Sequence, residues 1–377
     1  MIATVTFFGG LVGLLVAGHI VVEGSSRLGR LFGLPETVVG LTIVAAGTSA
    51  PELAVVLQSV LADDTDLAVG SIIGSNIANV LLVLGLAACF GTIRVTNRVV
   101  RVDIPIMIGA SGALLTMTLD GNLDRLDGVL LFVALLLFVT WTLRANRGAS
   151  QNIGLPDETT EQTSGDEGHS SFARAVVPSA IRLVIGVGGL ALAADLVASG
   201  AKQIAAGLGV PELIVGLTVV ALGTSAPEVV TTVIAAVQGR RELAVGNAVG
   251  SNIFNIFLVL GLSTAIAPGG IAVDRDAVQL DLPIMVAAAV ACLPMVFWDR
   301  KFDRWEGIVF VTYYIAYLAF LTLDATGSPL SRAFAIAMAG FVGPLLLLTV
   351  IVGLRHRREV NRRATPGPVP AGEVDRV

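Results

Sequence analysis

A six-residue phrase, Gly-Thr-Ser-Ala-Pro-Glu, occurs twice in this chain, at residues 47–52 and 223–228. Each copy lies inside an apolar stretch that is long enough to cross a lipid bilayer. A carboxylate in the apolar interior of a membrane is costly unless it pairs or binds a ligand. The two copies therefore indicate a functional site rather than an accident of packing.

The composition is that of a membrane protein. Of the 377 residues, 54% are hydrophobic and only 14% are charged, whereas soluble domains have about 25% charged residues. Runs of roughly 20 apolar residues recur along the chain. The N-terminal run lacks a basic segment and an Ala-x-Ala site, so we interpret it as a membrane span rather than a signal peptide. The net charge of −5 argues against nucleic acid as a partner.

Eleven spans are predicted, and they divide the chain into two halves. The spans run over residues 2–24, 35–61, 67–90, 101–119, 126–145, 173–199, 210–237, 243–266, 277–297, 304–323 and 332–354. The predicted units are a five-helix repeat (1–146), an acidic cytoplasmic linker (147–172), a second five-helix repeat (173–325), an extra transmembrane helix (326–355) and a basic cytoplasmic tail (356–377). The predicted fold is thus an all-α polytopic membrane protein with a ten-helix core.

Basic residues alternate between successive connections. Arginines cluster after spans one, three, five, seven, nine and eleven, whereas the second connection contains Asp63, Asp64 and Asp66 and no basic residue. By the positive-inside rule, this pattern places the N-terminus outside and the C-terminus in the cytoplasm. The compact connections and the lack of a targeting segment favour a prokaryotic plasma (inner) membrane.

The two halves are related by an inverted repeat. Residues 40–52 align without gaps to 216–228 with eleven of thirteen positions identical, and 68–86 align to 244–262 with thirteen of nineteen identical. Five spans separate equivalent points, and because five is odd, the second copy enters the membrane from the opposite side. Inverted repeats of this kind are the architecture of many secondary transporters. They also let the two phrases converge on one site near the middle of the membrane.

The first phrase should break its helix. Pro51 has no backbone N–H, and its ring clashes with the carbonyl of Gly47. Ser49 is a residue type that caps a new helix, with Glu52 favoured in the first turn. Broken backbone at this depth is tolerated only where it is buried or lines a polar cavity, and its free carbonyls can bind a cation. The oxygens offered are the carbonyl of Ala45 and the side chains of Thr48, Ser49 and Glu52, with Ala221, Thr224, Ser225 and Glu228 in the second copy.

A second repeated phrase, Gly-Ser-Asn-Ile-x-Asn, completes an oxygen-rich set. Ser75 and Asn79 are four residues apart and share a helix face, as do Ser251 and Asn255. Carboxylates, amides, hydroxyls and carbonyls suit Ca²⁺ or Na⁺ rather than a soft transition metal. Two ionised glutamates carry a charge of minus two, which one Ca²⁺, two monovalent cations or two protons would balance. That equivalence is a natural basis for exchange.

Structural interpretations stand beside these functional ones. The Gly-Ser pairs of the second phrase could serve close helix packing alone. Asn76 and Asn252 lie off the Ser/Asn face and are interpreted as structural. Asp103 and Asp281 are expected at the membrane interface, near span starts. His19 has no partner in the other repeat and is expected to be a hydrogen-bonded helix residue.

At these phrases the chain resembles the sodium/calcium exchanger family, within the cation/Ca²⁺ antiporter superfamily. The resemblance covers spans one to ten, and it implies a transporter rather than an enzyme, with no prosthetic group, acting on Ca²⁺ and Na⁺ or H⁺. It also implies that spans one and six slide across the remaining core. The implied cation ligands are Ala45, Thr48, Ser49, Glu52, Ser75 and Asn79, and Ala221, Thr224, Ser225, Glu228, Ser251 and Asn255.

One position departs from the family pattern. Well-studied sodium-coupled members have an aspartate at the position of Asn255, and asparagine in both halves is similar to proton-coupled calcium exchangers. We expect Ca²⁺/Na⁺ antiport, with Ca²⁺/H⁺ antiport as the alternative and a cation channel or sensing receptor as a different class. The expected partners are the lipid bilayer, Ca²⁺ and a monovalent counter-ion. No obligate protein partner is evident in the sequence.

Overall fold

The structure is a computed structural model that describes residues 2–146, 167–207, 223, 225–293, 300–328 and 330. Within 167–207, side chains are described from residue 174 onward. Several predicted features lie outside the described residues. These are the basic tail, the eleventh span at 332–354, the acidic linker up to residue 166 and most of the first half of the seventh span.

The described residues are predominantly helical. The helices are α1 (Ile2–Leu31), α2 (Glu36–Thr48), α3 (Ala50–Leu61), α4 (Thr65–Cys89), α5 (Val99–Asp120), α6 (Arg125–Asn146), α7 (Glu167–Gly207), α8 (Ala226–Val237), α9 (Arg241–Ile266), α10 (Ala277–Ala291) and α11 (Arg304–Ala325). Four two-residue strands lie between them: β1 (Ile93–Arg94), β2 (Asn122–Leu123), β3 (Ile271–Ala272) and β4 (Lys301–Phe302).

The apolar helices confirm a multi-pass membrane protein. Seven helices in the described part of the chain are long and apolar enough to cross a bilayer, and α2 with α3 would form an eighth span bent by 42°. Helices α4 and α9 are the central pair, because 78% of the residues in the apolar stretch of each are buried, against 22–39% in the other long helices. The exact count of ten core helices remains a prediction.

Helices α1 and α7 pack along each other in opposite directions. A Cβ atom added at Gly10 would meet Val197, and one added at Gly24 would meet the backbone of Leu183. Later residues of α1 therefore contact earlier residues of α7. Gly200 in turn accommodates the backbone of Phe7 at the other end of the pair. Small residues at such contacts let membrane helices approach closely. The antiparallel pairing is what an inverted repeat requires of its two first helices.

The connections of one half pair with connections of the other half. Strand β1 pairs antiparallel with β4, and β2 pairs antiparallel with β3. We call these two-stranded pairs ribbons. Strands β1 and β4 of the first ribbon come from connections with arginine clusters that are predicted to be cytoplasmic. Strands β2 and β3 of the second ribbon come from connections predicted to lie outside. The ribbons flank α5, whose 22 residues span about 33 Å. The pairing therefore agrees with the alternation read from the loop charges.

Glycines tie the central helices to the opposite half. Gly85 of α4 meets the backbone carbonyl of Gly307 in α11, and Gly261 of α9 packs against Gly128 in α6. A methyl group at Gly128 would lie 2.4 Å from the backbone nitrogen of Ala265, so the helices could not approach as closely. The two contacts occupy equivalent positions of the two halves. The halves are thus interleaved rather than side by side.

One local expectation is wrong. Helix α1 runs through Leu31 instead of ending near residue 24, and Gly33, at φ 62°, follows its end. Asp103, near the start of α5, is fully buried within the protein, and its Oδ2 atom lies 3.5 Å from Nε of Arg98. The Arg98 guanidinium stands 5.3 Å from the ring centroid of Trp141, so arginine and aspartate enter the interior as a pair.

Cysteine pairs placed in the ribbons test this interleaving. With Cys89 and Cys292 replaced by serine, Asn122→Cys/Ala272→Cys should form a disulfide, because these residues face each other across an antiparallel pair. The measurement is mobility on a non-reducing gel after cleavage at a protease site inserted in the acidic linker. Linked fragments are expected.

The matched control is Asn122→Cys/Lys301→Cys, which joins opposite ends of α5 and should not cross-link. Equal cross-linking in both variants, or none in the facing pair, would contradict the interleaved fold.

Candidate cation site

Each copy of the first phrase begins a helix, and the first copy also ends one. Ser49 separates α2 from α3 with φ −80° and ψ 0°, and Ser225 precedes α8 with φ −87° and ψ 2°. Pro51 and Pro227 follow in the first turn of the new helices, where the missing N–H costs nothing. The predicted break is present in the first half, and Ser225 has the same backbone conformation as Ser49.

The serines at the break do not cap the new helices. Neither Ser49 nor Ser225 makes a side-chain cap hydrogen bond, which corrects the expectation for Ser49. The Ser225 hydroxyl instead donates to Oγ of Ser75, 3.3 Å away in the other half. The Ser49 hydroxyl is buried without a hydrogen-bond partner among the described residues. Both hydroxyls therefore face the protein centre, where a ligand can use them.

The two glutamates lie together in the interior. Glu52 is 0% exposed and Glu228 is 1% exposed, and their carboxyl groups are close enough to interact electrostatically. None of the four carboxyl oxygens has a hydrogen-bond partner among the described residues. Burying an isolated carboxylate costs on the order of tens of kcal/mol in a low-dielectric medium. The pair therefore requires a cation or protons.

Two asparagines of the central helices also have unpartnered amides. Asn79 and Asn255 are both 0% exposed, and neither amide oxygen nor nitrogen is hydrogen-bonded within the described residues. Each asparagine begins a π-helical segment, Asn79–Leu84 in α4 and Asn255–Leu260 in α9. Such segments are rare and are frequent at functional sites, because they re-aim side chains.

Each glutamate helix packs against the asparagine segment of the other half. Helix α3, which carries Glu52, contacts the segment that begins at Asn255, and α8, which carries Glu228, contacts the segment that begins at Asn79. The hydroxyls of Thr48 and Ser251 are 3.3 Å apart. The site is therefore built at the interface of the halves and belongs to both.

Ten of the twelve predicted site residues are described, and all ten are buried. They are Ala45, Thr48, Ser49, Glu52, Ser75, Asn79, Ser225, Glu228, Ser251 and Asn255. The Ala45 carbonyl is not free, since it accepts the backbone N–H of Ser49 at 3.0 Å, but a carbonyl oxygen retains a second lone pair. Ala221 and Thr224 lie outside the described residues.

Sequence reasoning missed one buried polar residue beside this set. Asn247 is 1% exposed, and its Oδ1 atom lies 3.4 Å from the hydroxyl of Thr48. It precedes Ser251 by four residues on α9, so its position on the same helix face was visible in the sequence. The repeat does not single it out, because the equivalent residue in the first half is Ser71.

The asparagines interpreted as structural do bond away from the site. Asn76 Nδ2 donates to Sδ of Met285 at 3.6 Å, and Asn252 Nδ2 donates to Sδ of Met107 at 3.2 Å. Both contacts join α4 or α9 to the opposite half. They support the interleaved packing described above.

The arrangement offers oxygen ligands to a hard cation. In the part of the chain that the structure describes, no group of three or more His, Cys, Asp and Glu side chains is positioned to hold a metal ion. The charge of the site comes from two carboxylates, and the remaining ligands are neutral hydroxyls, amides and carbonyls. Ca²⁺ takes six to eight such oxygens, and this mixture suits it or Na⁺.

Comparison with known proteins identifies the family. A family model described as sodium/calcium exchanger protein matches residues 2–144 and 178–323. Inner membrane protein YrbG of Escherichia coli (strain K12) is 34% identical over 323 residues, covering 85% of this chain and 97% of the relative. Sodium/calcium exchanger MaX1 of Methanosarcina acetivorans is 30% identical over 347 residues, covering 83% of this chain and 96% of the relative.

A solved structure supports the same assignment. The sodium-calcium exchanger NCX_Mj, soaked with zero Na⁺ and Ca²⁺, matches with a TM-score of 0.71 and 28% identity, covering 85% of this chain and 99% of that one. The named relatives include exchangers, which are transporters rather than enzymes. This chain therefore belongs to the sodium/calcium exchanger protein family.

Proposed function

We propose that this protein moves Ca²⁺ across the inner membrane in exchange for Na⁺, with Glu52 and Glu228 binding the transported cations. The observation that carries the proposal is the buried carboxylate pair whose oxygens lack hydrogen-bond partners among the described residues. One Ca²⁺ neutralises two carboxylates, and two monovalent cations do the same. Binding of either load is therefore compatible with the same site, and binding of one excludes the other.

The other proposed ligands come from four helices. Thr48 and Ser49 come from the first break, Ser75 and Asn79 from α4, and Ser251 and Asn255 from α9, with Ser225 at the second break and the Ala45 carbonyl completing the described set. Ala221 and Thr224 are proposed by repeat equivalence. Neutral oxygens supply ligands without further charge, so the balance between the site and its cargo is preserved.

Alternating access is proposed to come from α1 and α7 moving as one unit. The two helices pack along each other through glycines, whereas the central pair α4 and α9 is buried among the remaining helices. Helix α1 also contacts the connection between α8 and α9, where Nη1 of Arg240 donates to the Val22 carbonyl at 3.1 Å. Such polar contacts at the sliding face can break and form again.

The orientation is proposed from the loop charges. Strands β1 and β4 pair, and their connections contain arginine clusters that the positive-inside rule assigns to the cytoplasm. The N-terminus then lies outside and the C-terminus lies in the cytoplasm. A relative named as an inner membrane protein supports the inner membrane as the location.

Ca²⁺/H⁺ antiport is the second candidate, and Asn255 favours it. An amide at this position adds no charge and cannot titrate. In that mechanism Glu52 and Glu228 would each carry a proton in place of sodium. A channel is disfavoured, because inverted repeats provide two alternately open conformations rather than a continuous pore.

Calcium flux in proteoliposomes tests the counter-ion. Radioactive Ca²⁺ uptake should follow an outward Na⁺ gradient at equal pH on both sides, because Na⁺ competes for the same carboxylates. A pH gradient without Na⁺ should drive little uptake. Uptake driven by pH alone would replace the leading proposal with Ca²⁺/H⁺ antiport, and uptake that needs no counter-ion would indicate a channel.

Removing either glutamate charge should abolish calcium binding. Glu52→Gln or Glu228→Gln leaves the site one charge short, so the rise in melting temperature on adding Ca²⁺ should be lost. In the unmodified protein, Ca²⁺ at a hundredfold its Kd stabilises the fold by about 2.7 kcal/mol. Glu23→Gln, on the exposed part of α1, is the control and should keep the rise. A normal calcium-induced rise in either site variant would refute the site.

An aspartate at position 255, where this chain departs from the sodium-coupled members of the family, tests whether this residue sets the coupling ion. Asn255→Asp places a third carboxylate among the buried ligands, so the site should need an additional cation or proton. We expect the dependence of calcium flux on Na⁺ or on pH to become steeper. Flux measured over matched Na⁺ and pH series checks this. Unchanged dependence on both would show that this residue does not set the coupling.

A further inference from the structure

Asn247 lies next to the cation site but does not belong to the doubled phrases. It stands one helical turn before Ser251 on α9 and is 1% exposed. Gly246 and Gly250 flank this turn and let the backbone of α2 approach closely. A Cβ atom added at Gly246 would lie 2.5 Å from the Thr37 carbonyl, and one added at Gly250 would lie 2.8 Å from the Leu41 Cα. The close approach of the helices brings Thr48 to Asn247.

Hydrogen bonds fix the direction in which the Asn247 amide faces. The Thr231 hydroxyl lies 2.7 Å from the Pro227 carbonyl, which can only accept, so the hydroxyl hydrogen is donated there. The lone pairs of Thr231 then accept from Asn247 Nδ2 at 3.1 Å, and Thr232 accepts from the same nitrogen at 2.8 Å. The amide nitrogen therefore faces α8, and Oδ1 faces α2.

The fixed amide oxygen decides where the Thr48 hydrogen goes. Asn247 Oδ1 accepts from the Thr48 hydroxyl at 3.4 Å. Two other acceptors are within reach of the Thr48 hydroxyl. The Ala45 carbonyl, at 3.4 Å, already accepts the Ser49 N–H, and the Ser251 hydroxyl, at 3.3 Å, can itself donate to Thr48. When Thr48 donates its hydrogen to Asn247, a lone pair of Thr48 remains for a cation. We propose that Asn247 is a positioning residue that orients Thr48 as a cation ligand.

The first half cannot build the same network. The positions equivalent to Thr231 and Thr232 are Val55 and Val56, which have no hydroxyl, and Ser71 replaces Asn247. The side chains that hold Thr48 therefore have no counterpart at the equivalent positions of the first half. The pre-oriented dipole interacts with a divalent cation about twice as strongly as with a monovalent one at equal distance. Asn247 thus favours Ca²⁺ over Na⁺ in this half of the site.

The inference rests on the proposed cation exchange and is tested by half-saturation constants. Asn247→Ala should raise the calcium half-saturation constant about 10- to 100-fold, the range for residues that orient metal ligands. The sodium constant should change less, and the maximal rate should fall less than calcium affinity. Asn252→Ala, a buried asparagine on the same helix that bonds to Met107, is the control and should keep the ratio of the two constants.

A second pair of variants leaves Asn247 in place. Thr231→Val with Thr232→Val removes the acceptors for its amide, so calcium affinity should fall as in Asn247→Ala, and Thr231→Ser with Thr232→Ser should restore it. This pair decides the question if Asn247→Ala does not fold.

Equal changes in the calcium and sodium constants, or no change, would overturn the inference. A wild-type protein without calcium exchange would instead overturn the proposed function.

Discussion

Two carboxylates buried in the protein interior are the constraint on which the rest of this structure depends. Glu52 and Glu228 are buried, and they find no hydrogen-bond donor among the described residues. A stable protein cannot leave such a pair uncompensated. In the proposed function, the broken helix, the unpartnered asparagines and the central position of α4 and α9 hold these two groups where ions compensate them. The fold is arranged around a charge that it does not itself neutralise.

Interleaving of the halves explains how one site can use both phrases. Glycine contacts and two-strand ribbons join each half to the other, so each glutamate helix packs against the asparagine segment of the opposite half. Asn247, Thr231 and Thr232 break the approximate symmetry, because the equivalent positions of the first half have other residue types. Unequal half-sites give a symmetric scaffold a means to distinguish one divalent ion from two monovalent ions.

The sequence was sufficient where local chemistry decides the structure. Pro51 predicts a break that the backbone has between α2 and α3, Pro227 lies in the first turn of α8, and the apolar runs predict the helices of a polytopic membrane protein. Features that depend on distant partners were not predictable in this way. The π-helical segments, the strand ribbons and the buried Asp103 beside Arg98 arise from packing between elements far apart in the chain. The repeat did not point to Asn247, because Ser71 stands at the equivalent position of the first half.

The most direct test of the central claim is anomalous diffraction from crystals of the full chain soaked in Sr²⁺, a heavier analogue of Ca²⁺. The account predicts an anomalous peak between the carboxylates of Glu52 and Glu228, with the peak absent from crystals of Glu228→Gln grown in the same way. A peak only elsewhere, for example beside Asp103, or a peak that persists in the variant, would contradict the claim that these glutamates jointly bind the transported cation.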